Sequence, residues 1–199
     1  MYPESVRTRV PFTKWLTLIL LLGPATISRA RSNDPHPIPP CGEVKVHLSH
    51  PEYLTTAEGL VIAEPALGWV LDKTKNGPFF FVRTGENYST ARTVMYINVE
   101  HLEVPFNRAV QNDWQSFQRS CPQAEIQDLS RLELLEEGCE SRTQILFCRR
   151  EKNPYVDLVT KIAIGGSLLN VVLSADTAAD VSRYKADYNY LLTHVTMIH

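Results

Sequence analysis

The spacing of apolar positions along this chain changes several times, and each change marks an element. Gly59-Leu-Val-Ile-Ala-Glu-Pro65 predicts a first strand, which Ala66-Leu-Gly-Trp-Val-Leu71 continues after a break at Pro65. Asn76-Gly77-Pro78 marks a turn, and Phe79-Phe-Phe-Val82 reads as the buried strand behind it. Residues 84–89 read as loop and 93–101 as a further strand. Pro105 suits the first position of a helix, and Phe106, Val110, Trp114, Phe117 and Cys121 then recur at three and four, the spacing of one helix face. Pro122 ends that helix.

The second half is rich in strands. Ile126, Leu129, Leu132, Leu134 and Leu135 lead to a strand over roughly 131–137, a turn over 138–142 and a strand over 143–150. Strands over 155–164 and 168–174 are joined by Gly165-Gly166-Ser167, a hairpin signature. Asp176 is the expected cap of a last helix, whose apolar stripe is Val181, Tyr184, Tyr188, Leu191, Leu192 and Val195. Upstream, 43–58 is ambiguous, because Val44, Val46 and Leu48 alternate only briefly. Strands run consecutively and their late connections are short, which demands antiparallel pairing. The expected class is therefore α+β, a central antiparallel β-sheet flanked by helices.

The first thirty residues have a different character. Arg7, Arg9 and Lys14 precede the apolar run Trp15-Leu-Thr-Leu-Ile-Leu-Leu-Leu22, and Ser28-Arg29-Ala30 supplies small residues for cleavage. A run of eight residues falls far short of the ~20 that span a bilayer as a helix. This layout predicts a signal peptide over 1–30, with export to a secreted or periplasmic location and no membrane insertion after cleavage. Four prolines between 31 and 40 suggest an extended spacer, so 31–58 is assigned to an N-terminal extension and 59–199 to one α+β domain. Losing Arg7, Arg9, Lys14, Arg29 and Glu4 with the leader leaves 16 basic and 21 acidic side chains, a net charge of −5. A mildly acidic domain lacks the clustered cations that nucleic-acid binding requires.

Export also changes the meaning of Cys41, Cys121, Cys139 and Cys148. An even number in an oxidising compartment points to disulfides, either two bridges or one bridge with two buried thiols. The chain has no CxxC, and the cysteine spacings match no zinc pattern. Cys121 closes the first helix, and hairpin register returns residue 148 toward that end, beside residue ~133. The expected pairs are therefore Cys121–Cys148 and Cys41–Cys139.

Glu64-Pro65-Ala-Leu-Gly68-Trp69, the Phe79 to Val82 strand, the helix from Pro105, the strands running to Ser174 and the closing amphipathic helix together resemble the PsbP/Mog1/DcrB-like superfamily. The resemblance covers about 59–198 and implies a helix-flanked antiparallel sheet (an α/β/α sandwich). It also implies an adaptor role with a protein partner and no shared catalytic set, since members of that superfamily include photosystem subunits, a binder of a nuclear-transport GTPase and bacterial envelope proteins.

Other constellations have simpler readings. His47 and His50 could hold a metal from one helix face, but Pro51 follows and the segment lacks a helical pattern. Ser167 follows two glycines but leads into a strand, whereas a nucleophile elbow leads into a helix. Glu136 and Glu137 are adjacent and would point to opposite faces of a strand. Arg149-Arg150-Glu151-Lys152 suits a solvated loop or the rim of a contact, and Asn87-Tyr-Ser89 is a glycosylation acceptor in a host that glycosylates. In Phe79-Phe80-Phe81 the middle ring faces away from its neighbours, so one set is expected to be exposed or to meet a partner if helices cover only one sheet face. No residue is assigned a catalytic, cofactor-binding or metal role. The expectation is a noncatalytic binding or assembly module for a macromolecular partner; the alternative is a secreted hydrolase whose site has no sequence signature.

Overall fold

The computed structural model describes residues 48–74, 77–129, 133–135, 139–150 and 153–198. Its strands are β1 (Glu52–Thr56), β2 (Gly59–Ala63), β3 (Trp69–Leu71), β4 (Phe79–Arg83), β5 (Thr93–His101), β6 (Ala124–Asp128), β7 (Glu133–Leu135), β8 (Cys139–Cys148), β9 (Tyr155–Ile164), β10 (Ser167–Ala175) and β11 (Val195–Ile198). The helices are α1 (Phe106–Ser120) and α2 (Ala178–Thr193). The large sheet runs β3-β4-β5-β10-β9-β8-β6, with β7 also paired to β8, and every pairing in it is antiparallel. A smaller antiparallel sheet runs β1-β2-β11.

The large sheet has a core on each face, and alternation along its strands assigns the side chains. On β9 and β10, Leu158, Ile162, Leu169, Val171 and Leu173 pack with Val181, Tyr188 and Leu191 of α2 and with Val61 and Val195 of the small sheet. Their neighbours Val159 and Val172 pack with Phe117 of α1, and Ala163 and Leu168 with Phe106 and Val110. Burial on both faces explains why β10 is apolar or buried at every position although it is antiparallel. Gly165 and Gly166, with φ of 53° and 85°, form the two-residue turn between β9 and β10, where both central residues need positive φ.

The helices start differently. Pro105 holds the position before α1 with φ −51° and ψ 141°, and its carbonyl accepts from the Arg108 and Ala109 amides. Thr177 caps α2: its Oγ1 accepts from the Asp180 amide at 3.1 Å and donates to the Asp180 carboxylate at 2.7 Å. The expected cap, Asp176, lies one residue too early. At the other end α2 stops at Thr193, and Val195 begins β11 instead of extending the helical stripe.

Several sequence expectations are corrected here. β1 lies inside 31–58, the segment assigned to an extension, and pairs along its length with β2. Residues 59–71 are not one interrupted strand, because β2 belongs to the small sheet and β3 to the edge of the large one. Of the strand expected over 131–137, β7 covers 133–135, and an unexpected strand, β6, precedes it; both pair with one long β8 that starts at Cys139, so 139–142 are strand and not turn. The middle Phe of the triplet is not left open: Phe80 packs on Tyr88 of the 84–91 loop at 4.3 Å between centroids. That loop is tied down by the Tyr88 amide, which donates to Asp72 at 2.7 Å.

Gly68 and Trp69 explain the motif that opens β3. Gly68 has φ +86°, and a Cβ there would meet the Arg83 guanidinium at 3.1 Å. Trp69 donates its indole N–H to Asp187 of α2 at 2.8 Å and meets Tyr184 edge-on at 5.5 Å. The Arg83 guanidinium lies 5.6 Å from the Trp69 ring centroid. The motif thus fastens an edge strand to α2.

Cys121 and Cys148 form a disulfide with Cα atoms 5.8 Å apart, and both residues are buried. The register that brings them together pairs Cys148 with Ala124, not with a residue near 133. The other expected pair depends on Cys41, and like His47 and the leader, Cys41 lies outside the described residues. A loop with a sequence separation of 27 corresponds to about 3–4 kcal/mol of lost unfolded-state entropy in the chain-entropy treatment. Replacing Cys121 and Cys148 together by alanine is therefore expected to lower unfolding free energy by about 2–4 kcal/mol in urea titration, with the far-UV circular dichroism unchanged.

Candidate functional site

The α1 face of the large sheet carries a row of polar side chains in register. Arg142 of β8 pairs with Lys161 of β9, Lys161 with Asn170 of β10, and Asn170 with Asn98 of β5. Lys161 has only 4% of its side chain exposed. Its ammonium donates to Asp113 of α1 and, at 2.8 Å, to the Asn170 side-chain carbonyl. Burying an ammonium is tolerable only with such partners, so Asp113 anchors α1 over this point of the sheet. At one end of the row Arg142 donates to both oxygens of Asp128, at 3.2 and 2.9 Å, and Gln144 adds a bond at 2.8 Å. Burial alone would raise the Asp128 pKa; the bonds from Arg142 and Gln144 and the Arg142 charge outweigh it and hold this carboxyl below its usual range.

At the other end the row runs into open space. α1 covers β8 to β10, while the 84–91 loop covers part of β4. Beside α1, over the end of β5, lies a groove of about 620 Å³ bounded by Pro78, the 102–104 segment and Asn112 and Asp113 of α1. Asn98 and Glu100 line it, with Asn98 donating to Glu100 at 2.6 Å. Glu100, Glu103 and Asp113 give the groove an acidic lining beside the amides of Asn98 and Asn112. Such a surface suits a polypeptide segment that brings N–H donors and positive charge.

The residues singled out from sequence do not meet here. The His50 side chain is exposed, and its amide donates to Glu64 on the opposite side of the large sheet. Ser167 opens β10 directly after the glycine turn, is 2% exposed and pairs across the sheet with His101. His101 in turn has Nδ1 3.2 Å from Glu58. Serine, histidine and carboxylate thus follow one another, but Ser167 is closed to a substrate and lies on a hairpin instead of a strand-to-helix turn. Arg149 pairs with Glu125 of β6 at 2.8 Å on the surface. Glu136, Glu137, Glu151 and Lys152 lie outside the described residues. Among the described residues, no three His, Cys, Asp or Glu side chains converge as a metal set, and no helix is long and apolar enough to cross a membrane.

Sequence reading missed Lys161, Asn170, Asn98 and Asp113. A signal was present: Lys161 and Asn170 each interrupt a run of buried apolar residues, and a buried polar group is more informative than an exposed apolar one. Without the strand register, nothing placed them side by side.

The architecture is similar to that of PsbP. The solution structure of cyanobacterial PsbP (CyanoP) from Synechocystis matches at a TM-score of 0.50 and 13% identity, covering 81% of this chain and 99% of that one. The Ran-binding protein Mog1p of Saccharomyces cerevisiae matches at 0.48 and 6% identity, over 74% and 95% of the two chains. A Pseudomonas aeruginosa protein of unknown function, PA94, matches at 0.39 and 12%, over 69% and 90%. At such identities the likeness shows the fold and says nothing of chemistry. No family model and no curated protein matches the chain.

The Lys161–Asp113 pair makes a sharp prediction. Asp113→Ala strands a buried ammonium and is expected to cost about 3–5 kcal/mol in denaturant unfolding. Replacing both partners, Lys161→Met with Asp113→Leu, is expected to restore most or all of that stability. Equal losses in the single and double variants would show that the pair itself is not what holds α1 down.

Proposed function

We propose that this chain is an exported, noncatalytic binding or assembly module that holds a protein partner in the groove between α1 and the end of β5. The observation that carries the reading is the groove itself: an open stretch of sheet face whose lining mixes apolar residues with Asn98, Asn112, Glu100 and Glu103, next to a helix pinned by a buried ion pair. Its mix of apolar and polar lining residues suits a surface that receives a peptide segment. The CyanoP and Mog1p folds lend the reading an analogy only. The basic, apolar and small-residue layout of 1–30 supports export, and the buried Cys121–Cys148 bridge suits an oxidising compartment.

The test is site-specific photo-crosslinking in the native host, with the probe at Asn112 in the groove or at Arg183 on the exposed face of α2. The expected result is one discrete protein adduct from Asn112 and none from Arg183, on a chain whose N-terminus lies close to Arg31. An adduct from Arg183 with none from Asn112 would move the interface to the other side of the molecule. A cytosolic chain that retains Met1 would contradict export.

A further inference from the structure

On the side of the large sheet away from the groove, Glu64 follows β2 and is buried although it carries no lysine or arginine partner in its hydrogen bonds. One carboxylate oxygen, Oε2, accepts two successive backbone amides, from Ser49 at 2.6 Å and His50 at 3.2 Å. The other, Oε1, accepts the Tyr190 hydroxyl of α2 at 2.9 Å. The Glu64 amide donates to the His194 carbonyl at 3.0 Å, and the His194 ring stacks on Tyr190 at 3.9 Å. Consecutive amides converging on one anionic oxygen form a small anion nest, and here the anion belongs to the protein. Ser49 and His50 lie just before β1, where the chain first enters the described fold.

The hairpin geometry sets where this happens. β1 runs from Glu52, opposite Ala63, to Thr56, opposite Gly59. The turn beyond Thr56 reaches the groove end of β5, because Glu58 lies 3.2 Å from His101. Five residues of strand put the Glu64 end roughly 16 Å from that turn.

We propose that Glu64 is a clamp: it fixes Ser49 and His50, just before β1, to the end of the β1–β2 hairpin remote from the groove, and protonation of this one carboxylate releases them while the domain stays folded. The titratable groups facing Glu64 are Tyr190 of α2, His194 just after it and His50 of the clamped pair. Burial alone would raise the Glu64 pKa; the His50 amide, the Tyr190 hydroxyl, the Ser49 amide and the His194 charge together bring it below the ordinary value. A carboxyl whose folded pKa is lowered stabilises the folded arrangement fully above its unfolded pKa. That contribution fades as pH falls through the folded pKa, so release belongs below the usual glutamate range.

The experiment is amide hydrogen exchange on the full chain across pH, expressed as protection relative to the intrinsic exchange rate. In the wild type, Ser49 and His50 are expected to lose protection by roughly an order of magnitude or more on acidification, the scale of a lost charge-assisted hydrogen bond. The β9 and β10 amides should keep theirs. Glu64→Gln retains a carbonyl oxygen for both amides and offers Tyr190 an N–H donor, so partial protection without pH dependence is expected. Glu64→Ala should leave Ser49 and His50 unprotected at every pH. Protection at Ser49 and His50 that is independent of pH in the wild type, or unchanged in Glu64→Ala, would overturn the clamp. So would a parallel loss across β9 and β10, which would make Glu64 a general stability residue instead.

Discussion

Everything in this molecule depends on β9 and β10 being covered on both faces. A strand pair at the centre of a sheet satisfies its backbone through its neighbours, and its side chains must then fill two cores at once. One core is closed by α2 together with the small sheet, the other by α1. The coverage is unequal. A helix is about 10–12 Å wide, whereas the seven strands of the main path, spaced about 4.8 Å apart, spread over roughly 29 Å. On the α2 face the small sheet supplies the missing width. On the α1 face, among the described residues, the 84–91 loop adds Tyr88 and Ala91 and the 102–104 segment adds Leu102 and Val104, and a stretch over the end of β5 stays open.

The polar row follows from that inequality. Where α1 ends and the sheet meets water, apolar side chains would be exposed, and the sequence places Asn98 and Glu100 there instead. Under the helix edge Lys161 and Asn170 carry the row inward, and Asp113 neutralises the only ammonium it contains. On the other face one buried network is uncharged: the Tyr188 hydroxyl lies 2.7 Å from Thr160 and 3.0 Å from the Val171 carbonyl, and Thr143 lies 2.9 Å from Thr160, while the buried Glu64 carboxylate is held by the Ser49 and His50 amides and the Tyr190 hydroxyl. Burial pushes the Tyr188 phenol well above its usual pKa, so it acts purely as a hydrogen-bonding group.

Legibility in the sequence tracked how local each signal was. The α1 stripe, the Gly165-Gly166 turn and the long strands 155–164 and 168–174 depend on neighbours within a few residues, and they were readable. Partnership across the chain was not. Nothing near Val195 shows that it pairs with Ala63, and without that pairing Val195 reads as one more position of the α2 stripe. β1 is short and mixed in character, and its status as a strand depends on β2. Cys121–Cys148 was reached from an approximate register whose details were wrong, because any hairpin that returns to the end of α1 brings the two sulfurs together. The groove was invisible for the same reason: Asn98, Asp113, Lys161 and Asn170 are scattered in sequence and adjacent only through the sheet.

The central claim is that the open margin of the α1 face receives the partner. Amide exchange of the full-length protein, measured free and with the partner bound, tests it most directly. The account predicts slowed exchange over 98–104 and around Asn112 and Asp113, with α2 and the β1-β2-β11 sheet unchanged. Slowed exchange on α2 or the small sheet, with 98–104 unaffected, would contradict it.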